Sequence, residues 1–178
     1  AQLQKAFQAG NFKDAYDGLR QLALDPKDDP LKVGEDLRLA VQALQRLNRT
    51  NESDALIEAV IGVHNLSWRL LATAARIYLQ ELPHQGFMIA GKFERGQHRG
   101  GGEMVSSTDR DRVRSLQLMV QAIPSARKDD SRAEVAQFFL TLSDMLLNNR
   151  GHHESWRLQY LTDLGTLPDY EPGWGYYQ

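Results

Sequence analysis

The feature that most constrains this chain is a short junction, Gly10-Asn11-Phe12-Lys13-Asp14-Ala15, followed by apolar residues at helical spacing and then Leu24-Asp25-Pro26. Glycine tolerates the left-handed conformation that ends a helix, and asparagine suits the start of the next one. Ahead of the junction, Leu3, Ala6 and Phe7 share one face of a short helix. Behind it, Phe12, Ala15, Tyr16, Leu19, Leu22 and Ala23 fall three and four apart, the period of a helix with one buried stripe. A pair of helices joined by so short a turn must lie antiparallel.

The same grammar continues to Pro83. Pro26 stops the second helix and Pro30 opens a third, whose inward set is Val33, Leu37, Ala40, Val41, Leu44 and Leu47, with Asn48 as a left-handed terminator. Asn51 is the expected cap of a fourth helix, with Ala55, Leu56, Ala59, Val60 and Val63 inward. Asn65 or Ser67 starts a fifth, running through Trp68, Leu71, Ala72, Ala75, Tyr78 and Leu79. Gly10 and Asn48 are separated by about one helix-pair repeat, roughly 34 to 47 residues. Gly10 to Ala15, with Leu19, Leu22 and Pro26, resembles the second half of a tetratricopeptide repeat, although Pro26 arrives one residue early and the second unit keeps only its small and apolar character.

Between Pro83 and Ser106 the helical period fails. Phe87-Met88-Ile89-Ala90 is a short apolar stretch turning at Gly91, and Glu94-Arg95-Gly96-Gln97-His98-Arg99-Gly100-Gly101-Gly102-Glu103 follows it. A segment of this length reads as one long Gly-rich loop, and long loops in compact domains carry function more often than the elements they join. Phe93, Arg95, His98 and Arg99 are therefore the candidate partner-binding residues. Helical patterning resumes with Ser107 or Thr108 as cap. Asp109-Arg110-Asp111-Arg112 reads as an exposed charged start, with Val113, Leu116, Met119, Val120 and Ile123 inward. A further helix from Asp130 or Ser131 carries Val135, Phe138, Phe139, Leu142, Met145 and Leu146, and a last one is expected over His153 to Leu164.

The resulting expectation is an all-α fold of stacked antiparallel hairpins, a right-handed tetratricopeptide-like array in one domain. Helix pairs fill 1–82, the Gly-rich loop 83–106, a hairpin 107–165 and a tail 166–178. The tail crowds Tyr170, Trp174, Tyr176 and Tyr177 into a Gly/Pro segment that closes no element, so an aromatic-rich end is expected to lead to a downstream region. A start at Ala1 instead of Met fits a processed chain or a piece of a longer one.

Chemistry is harder to find. There is no cysteine, which removes disulfides, thiolate metal sites and cysteine nucleophiles together. A formal charge of -2 gives no global field toward nucleic acid or anionic lipid, and no apolar run approaches the roughly 20 residues of a spanning helix. Gly100-Gly101-Gly102-Glu103 lacks the Lys-Ser/Thr pair of a phosphate-binding loop. Arg95, His98 and Arg99 among glycines resemble only a fragment of an Arg-Gly nucleic-acid tract. His84 and His98 flank the loop and could meet with Glu81, Glu94 or Glu103 at a metal, which is the alternative reading: a metal- or anion-dependent activity centred on His84, His98 and Arg99. His152-His153-Glu154 cannot easily share one metal, because neighbours on a helix point about 100 degrees apart. No Ser/His/Asp signature carries a nucleophile. The leading expectation is a non-enzymatic interaction or positioning domain with no cofactor and a protein partner or downstream domain, and the second alternative is a purely structural spacer.

Several stretches resemble one setting. Asn65-Leu66-Ser67-Trp68-Arg69-Leu70-Leu71, Phe93 to Gly102, Asp109 to Arg114, Leu146 to Gly151 and Trp156 to Leu164 look like the N-terminal helical region of large bacterial alpha-2-macroglobulin-like proteins. The tail from Leu167 to Tyr177 looks like the join to the rest of such a chain. The resemblance implies an exported, periplasmic or extracellular protein whose other domains would trap or bind proteases. The Cys-Leu-Glu-Gln thioester motif of that family is absent, so the resemblance implies a docking or positioning role for this segment and not trapping itself.

Overall fold

A computed structural model describes residues 2–147 and 163–173. Among these are seven α-helices: α1 (Gln2–Gln8), α2 (Phe12–Ala23), α3 (Val33–Arg46), α4 (Ser53–Val63), α5 (Trp68–Arg76), α6 (Thr108–Ala126) and α7 (Arg132–Leu147). A 3-10 turn, Thr50–Glu52, leads into α4, and α5 widens into a π-helical turn over Ile77–Glu81. Both expected terminators take left-handed backbone, Gly10 at φ +83° and Asn48 at φ +55°. The caps are less regular: Ser67 accepts the Leu70 amide at 3.4 Å, whereas Asn11 makes no side-chain cap bond.

The helices share one core. Leu19, Leu37, Leu44, Ile57, Leu70, Leu71, Leu116 and Met119 are almost completely buried in a single cluster that also takes in Phe138 and Met145. Polar contacts along the helices give their relative directions. Ser115 Oγ donates to the Ala75 carbonyl at 2.8 Å and Trp68 Nε1 to Asp129 at 3.0 Å, so α5 and α6 run antiparallel. Gly34 lies against Thr73, and Gln45 reaches the Glu81 carbonyl at 2.7 Å, so α3 and α5 run parallel. The close approach at Gly34 requires glycine, since an added Cβ would lie 2.9 Å from Thr73 Oγ1.

The all-α expectation is wrong. The segment expected to be one long Gly-rich loop forms three strands, β1 (Gln85–Ile89), β2 (Lys92–Arg95) and β3 (Glu103–Ser106), and the tail adds a two-residue strand, β4 (Glu171–Pro172). They make an antiparallel sheet in the order β2-β1-β3-β4. The fold is therefore mixed, a helical core carrying a small sheet, and not a tetratricopeptide array. Only the stretch between Gly96 and Gly102 remains loop. The expected helix over His153 to Leu164 falls largely outside the described residues, and Asp163 and Leu164 themselves are not helical. Among the described residues no helix is long and apolar enough to cross a membrane.

The physical reason for the correction lies in the turn. Ile89 pairs with Lys92, leaving Ala90 and Gly91 as a two-residue connection with φ of +48° and +79°. Two consecutive left-handed residues match the twist of a tight hairpin, and here one of them is alanine, not the asparagine or aspartate that usually signals it. An L-residue with a Cβ pays about 1–2 kcal/mol in that region. Ala90 is exposed, so nothing else opposes replacement. Ala90→Asn is expected to raise the unfolding free energy by ~0.5–1 kcal/mol in urea titration, by relieving that strain; a loss of stability would mean that the hairpin turn is not left-handed at Ala90.

Candidate functional site

Strand alternation sorts the loop residues expected to bind a partner onto opposite sides of the sheet. Phe93 and Arg95, two apart on β2, face the same way as their neighbours Met88 and Gly86 on β1. Glu94 and Phe87 face the other way, and the His98 ring lies 5.9 Å from Phe87 with Nδ1 3.5 Å from Glu94. Phe93, Arg95, His98 and Arg99 thus do not converge on one surface. Arg99 is exposed on the loop and has no polar partner among the described residues.

Arg95 is the reverse of a loop residue seeking a partner. It is only 3 % exposed and spends its guanidinium on two helices at once. Nε and Nη2 donate to the Asp54 carboxylate at 2.9 and 2.8 Å, and Nη1 and Nη2 donate to Asp111 at 2.7 and 2.8 Å. Nη1 also reaches the Pro83 carbonyl at 2.8 Å and Ser107 Oγ at 3.0 Å. Asp54 lies in the first turn of α4 and Asp111 in the first turn of α6, positions where a carboxylate is favoured by the helix dipole. The planar fork of arginine suits this task, and a lysine ammonium could not serve two carboxylates in the same way.

Asp111 accepts two further bonds, from Ser107 Oγ at 2.7 Å and from His84 Nδ1 at 2.8 Å. His84 is fixed from its other end, because its carbonyl accepts from the Ser107 amide at 2.7 Å. Burial pushes the Asp111 carboxyl up, but bonds from His84 and Arg95 outweigh it and hold the group below its ordinary value of 3.8. Burial likewise works against the Arg95 charge, and the bonds to Asp111 and Asp54 outweigh that too, leaving the guanidinium more basic than usual. Although serine, histidine and aspartate meet here, the serine hydroxyl bonds the carboxylate and the His84 carbonyl, not the imidazole. A nucleophilic triad needs the hydroxyl on the ring nitrogen opposite the carboxylate, so this is a fastening and not an acyl-transfer site.

The tail supplies the remaining contacts. Tyr170 stacks on Phe93 with ring centroids 4.4 Å apart, and the Arg110 guanidinium lies 4.8 Å from the Tyr170 ring. Arg110 Nη1 donates to the Pro168 carbonyl at 2.8 Å, and Gln117 Nε2 to the Leu164 carbonyl at 2.9 Å. β4 then pairs with β3, Val105 opposite Pro172. The Phe93 ring has room because β1 carries glycine beneath it: a Cβ on Gly86 would lie 2.5 Å from Phe93 Cε2 and 2.4 Å from the Glu94 carbonyl.

His84 and His98, expected as partners at a metal, are separated by the sheet: His84 turns inward to Asp111, and His98 covers the outer face. Among the described residues no group of three or more His, Asp or Glu side chains is placed to hold a metal ion. His152, His153 and Glu154 lie outside the described residues. The charged start of α6 is half internal, since Asp111 and Arg112 are buried. Asp54, Asp111 and His84 were not legible as partners of Arg95, although an arginine at the inward position of a short apolar alternation was the available signal. A scan against protein-family models and searches of curated proteins and of solved structures return no match to this chain.

Removing one member of a buried, hydrogen-bonded ion pair strands the other, at a cost of about 3–5 kcal/mol. Arg95→Ala is therefore expected to lose that much stability in chemical unfolding. Asp111 has a native value below its unfolded one, so its contribution is complete above 3.8 and disappears as the pH falls through the lower native value. Asp111→Asn should accordingly flatten the acid limb of the stability–pH curve. An acid limb unchanged in Asp111→Asn would show that the carboxylate is not held ionised by this cluster.

Proposed function

We propose that this chain is a non-enzymatic interaction or positioning domain that presents the Gly96 to Gly102 loop from a rigid base. The observation that carries this reading is the mounting of the loop. It leaves β2 directly after Arg95, which is tied to α4 and α6, and re-enters the sheet at β3, which is paired on both sides. Gln97 and the run from Arg99 to Glu103 are exposed, with Arg99 the cation at the tip. Binding residues are commonly carried on loops whose ends a scaffold fixes, because the partner then pays little to order them. The chemistry of the residues around Arg95 is used internally, which supports a scaffold over a reaction centre.

The likeness of several stretches to the N-terminal helical region of large bacterial alpha-2-macroglobulin-like proteins supports an envelope context. On that reading the protein is exported to the periplasm or beyond, and its partner is a protein or a neighbouring domain of the same chain. Affinity capture from bacterial envelope extract compares the wild type with a chain in which His98 and Arg99 are replaced by Ala. Both positions lie outside the Arg95 cluster, so the fold is retained, and the loop partner is expected to drop at least tenfold in recovery. An unchanged set of captured proteins would remove the loop from the binding surface.

A further inference from the structure

The strip of surface beneath residues 164–173 has the makings of a site in its own right, independent of the loop. Its contacts to the tail are of the kind that read any extended chain. Two α6 side chains, Gln117 and Arg110, bond main-chain carbonyls of Leu164 and Pro168. The edge of β3 supplies main-chain pairing, including the Gly173 amide donating to the Met104 carbonyl at 2.7 Å. Two side chains are held closely: Leu164, half-buried against the hydrophobic core, and Tyr170, whose ring lies 4.4 Å from the Phe93 ring and 4.8 Å from the Arg110 guanidinium. Strand addition to a sheet edge with a pocket for one aromatic is a recurrent mode of peptide recognition.

Much of the segment in place is open to solvent. β4 is two residues long, and Asp163, Gly165, Thr166, Asp169 and Pro172 are exposed. The groove beneath it is firm, because Phe93 is two residues from Arg95 on the strand fixed to α4 and α6. Charge is complementary as well: residues 163–173 carry Asp163, Asp169 and Glu171 and no basic side chain, and the groove offers Arg110.

We infer that α6, the β3 edge and Phe93 form a peptide-binding groove for extended acidic segments with an aromatic two residues before a proline, and that residues 164–173 occupy it as a built-in competitor. A tethered competitor lowers the apparent affinity for a free peptide by the fraction of time it holds the site. Weakening the tether's aromatic contact therefore opens the groove without altering it.

The test uses the full chain and a fluorescent peptide of the sequence of residues 163–173, followed by anisotropy. Tyr170→Ala in the protein is expected to bind this peptide about tenfold more tightly than the wild type does, the change expected from loss of one aromatic stack and one cation–π contact in the competitor. Adding Arg110→Gln or Phe93→Ala to the Tyr170→Ala chain should abolish the gain, as should alanine in place of tyrosine in the peptide. Arg110 is partly exposed, so its replacement keeps the test valid where Phe93→Ala fails to fold. Equal binding to wild type and Tyr170→Ala, absence of binding to both, or binding indifferent to Arg110 would each overturn the inference. His98→Ala/Arg99→Ala should leave peptide binding unchanged, which keeps a failure here separate from a failure of the loop reading.

Discussion

A buried guanidinium cannot be left to itself, and the rest of this structure follows from how Arg95 is satisfied. Desolvating that charge costs several kcal/mol unless carboxylates and further acceptors surround it. Here the acceptors are Asp54 on α4, Asp111 on α6, the Pro83 carbonyl ahead of β1 and Ser107 at the start of α6. Three separate parts of the chain must meet Arg95 at one point for the cluster to exist. The sheet thereby gains a fixed position on a helical core with which it shares few apolar residues, because Val105 is its one hydrophobic side chain that is fully buried.

The cluster specifies geometry more than it adds stability. Hydrophobic residues of similar size often replace buried ion pairs with little loss, so the gain from Arg95 lies in direction: a planar fork donates to two carboxylates only in one arrangement. That arrangement places Phe93 over Gly86, ready for Tyr170, and sets the start of the loop at Gly96. The loop and the tail groove are two surfaces hung on the same fixed strand, on opposite faces of the sheet.

The helical part was legible because its signals are local. Gly10 and Asn48 end helices in left-handed backbone, and stripes such as Leu37, Val41 and Leu44 are buried as their period requires. The sheet was not legible for equally physical reasons. Its strands are four or five residues or fewer, its hairpin turns on Ala90-Gly91 without the usual asparagine, and β1 mixes half-buried residues on both faces. Its fourth strand lies far along the chain in a Gly/Pro tail with no alternation to read. The Arg95 site was missed because its partners come from positions 41 residues before it and 16 after it, a proximity that only the fold creates. Of the residues singled out on the loop, Phe93 and Arg95 turn inward for this reason, while His98 lies over the outer face and Arg99 stays exposed.

On this basis Arg95 makes the sheet and the helical core one cooperative unit. Native-state hydrogen exchange measures this directly, by comparing the opening free energies of the Phe87 and Val105 amides, on strands paired within the β2-β1-β3 part of the sheet, with those of Leu71 and Leu116 in the wild-type protein. A common value is expected, with the sheet amides exchanging only through the same opening that releases the helices. A sheet that exchanges through its own opening, several kcal/mol below that of α5 and α6, would contradict it.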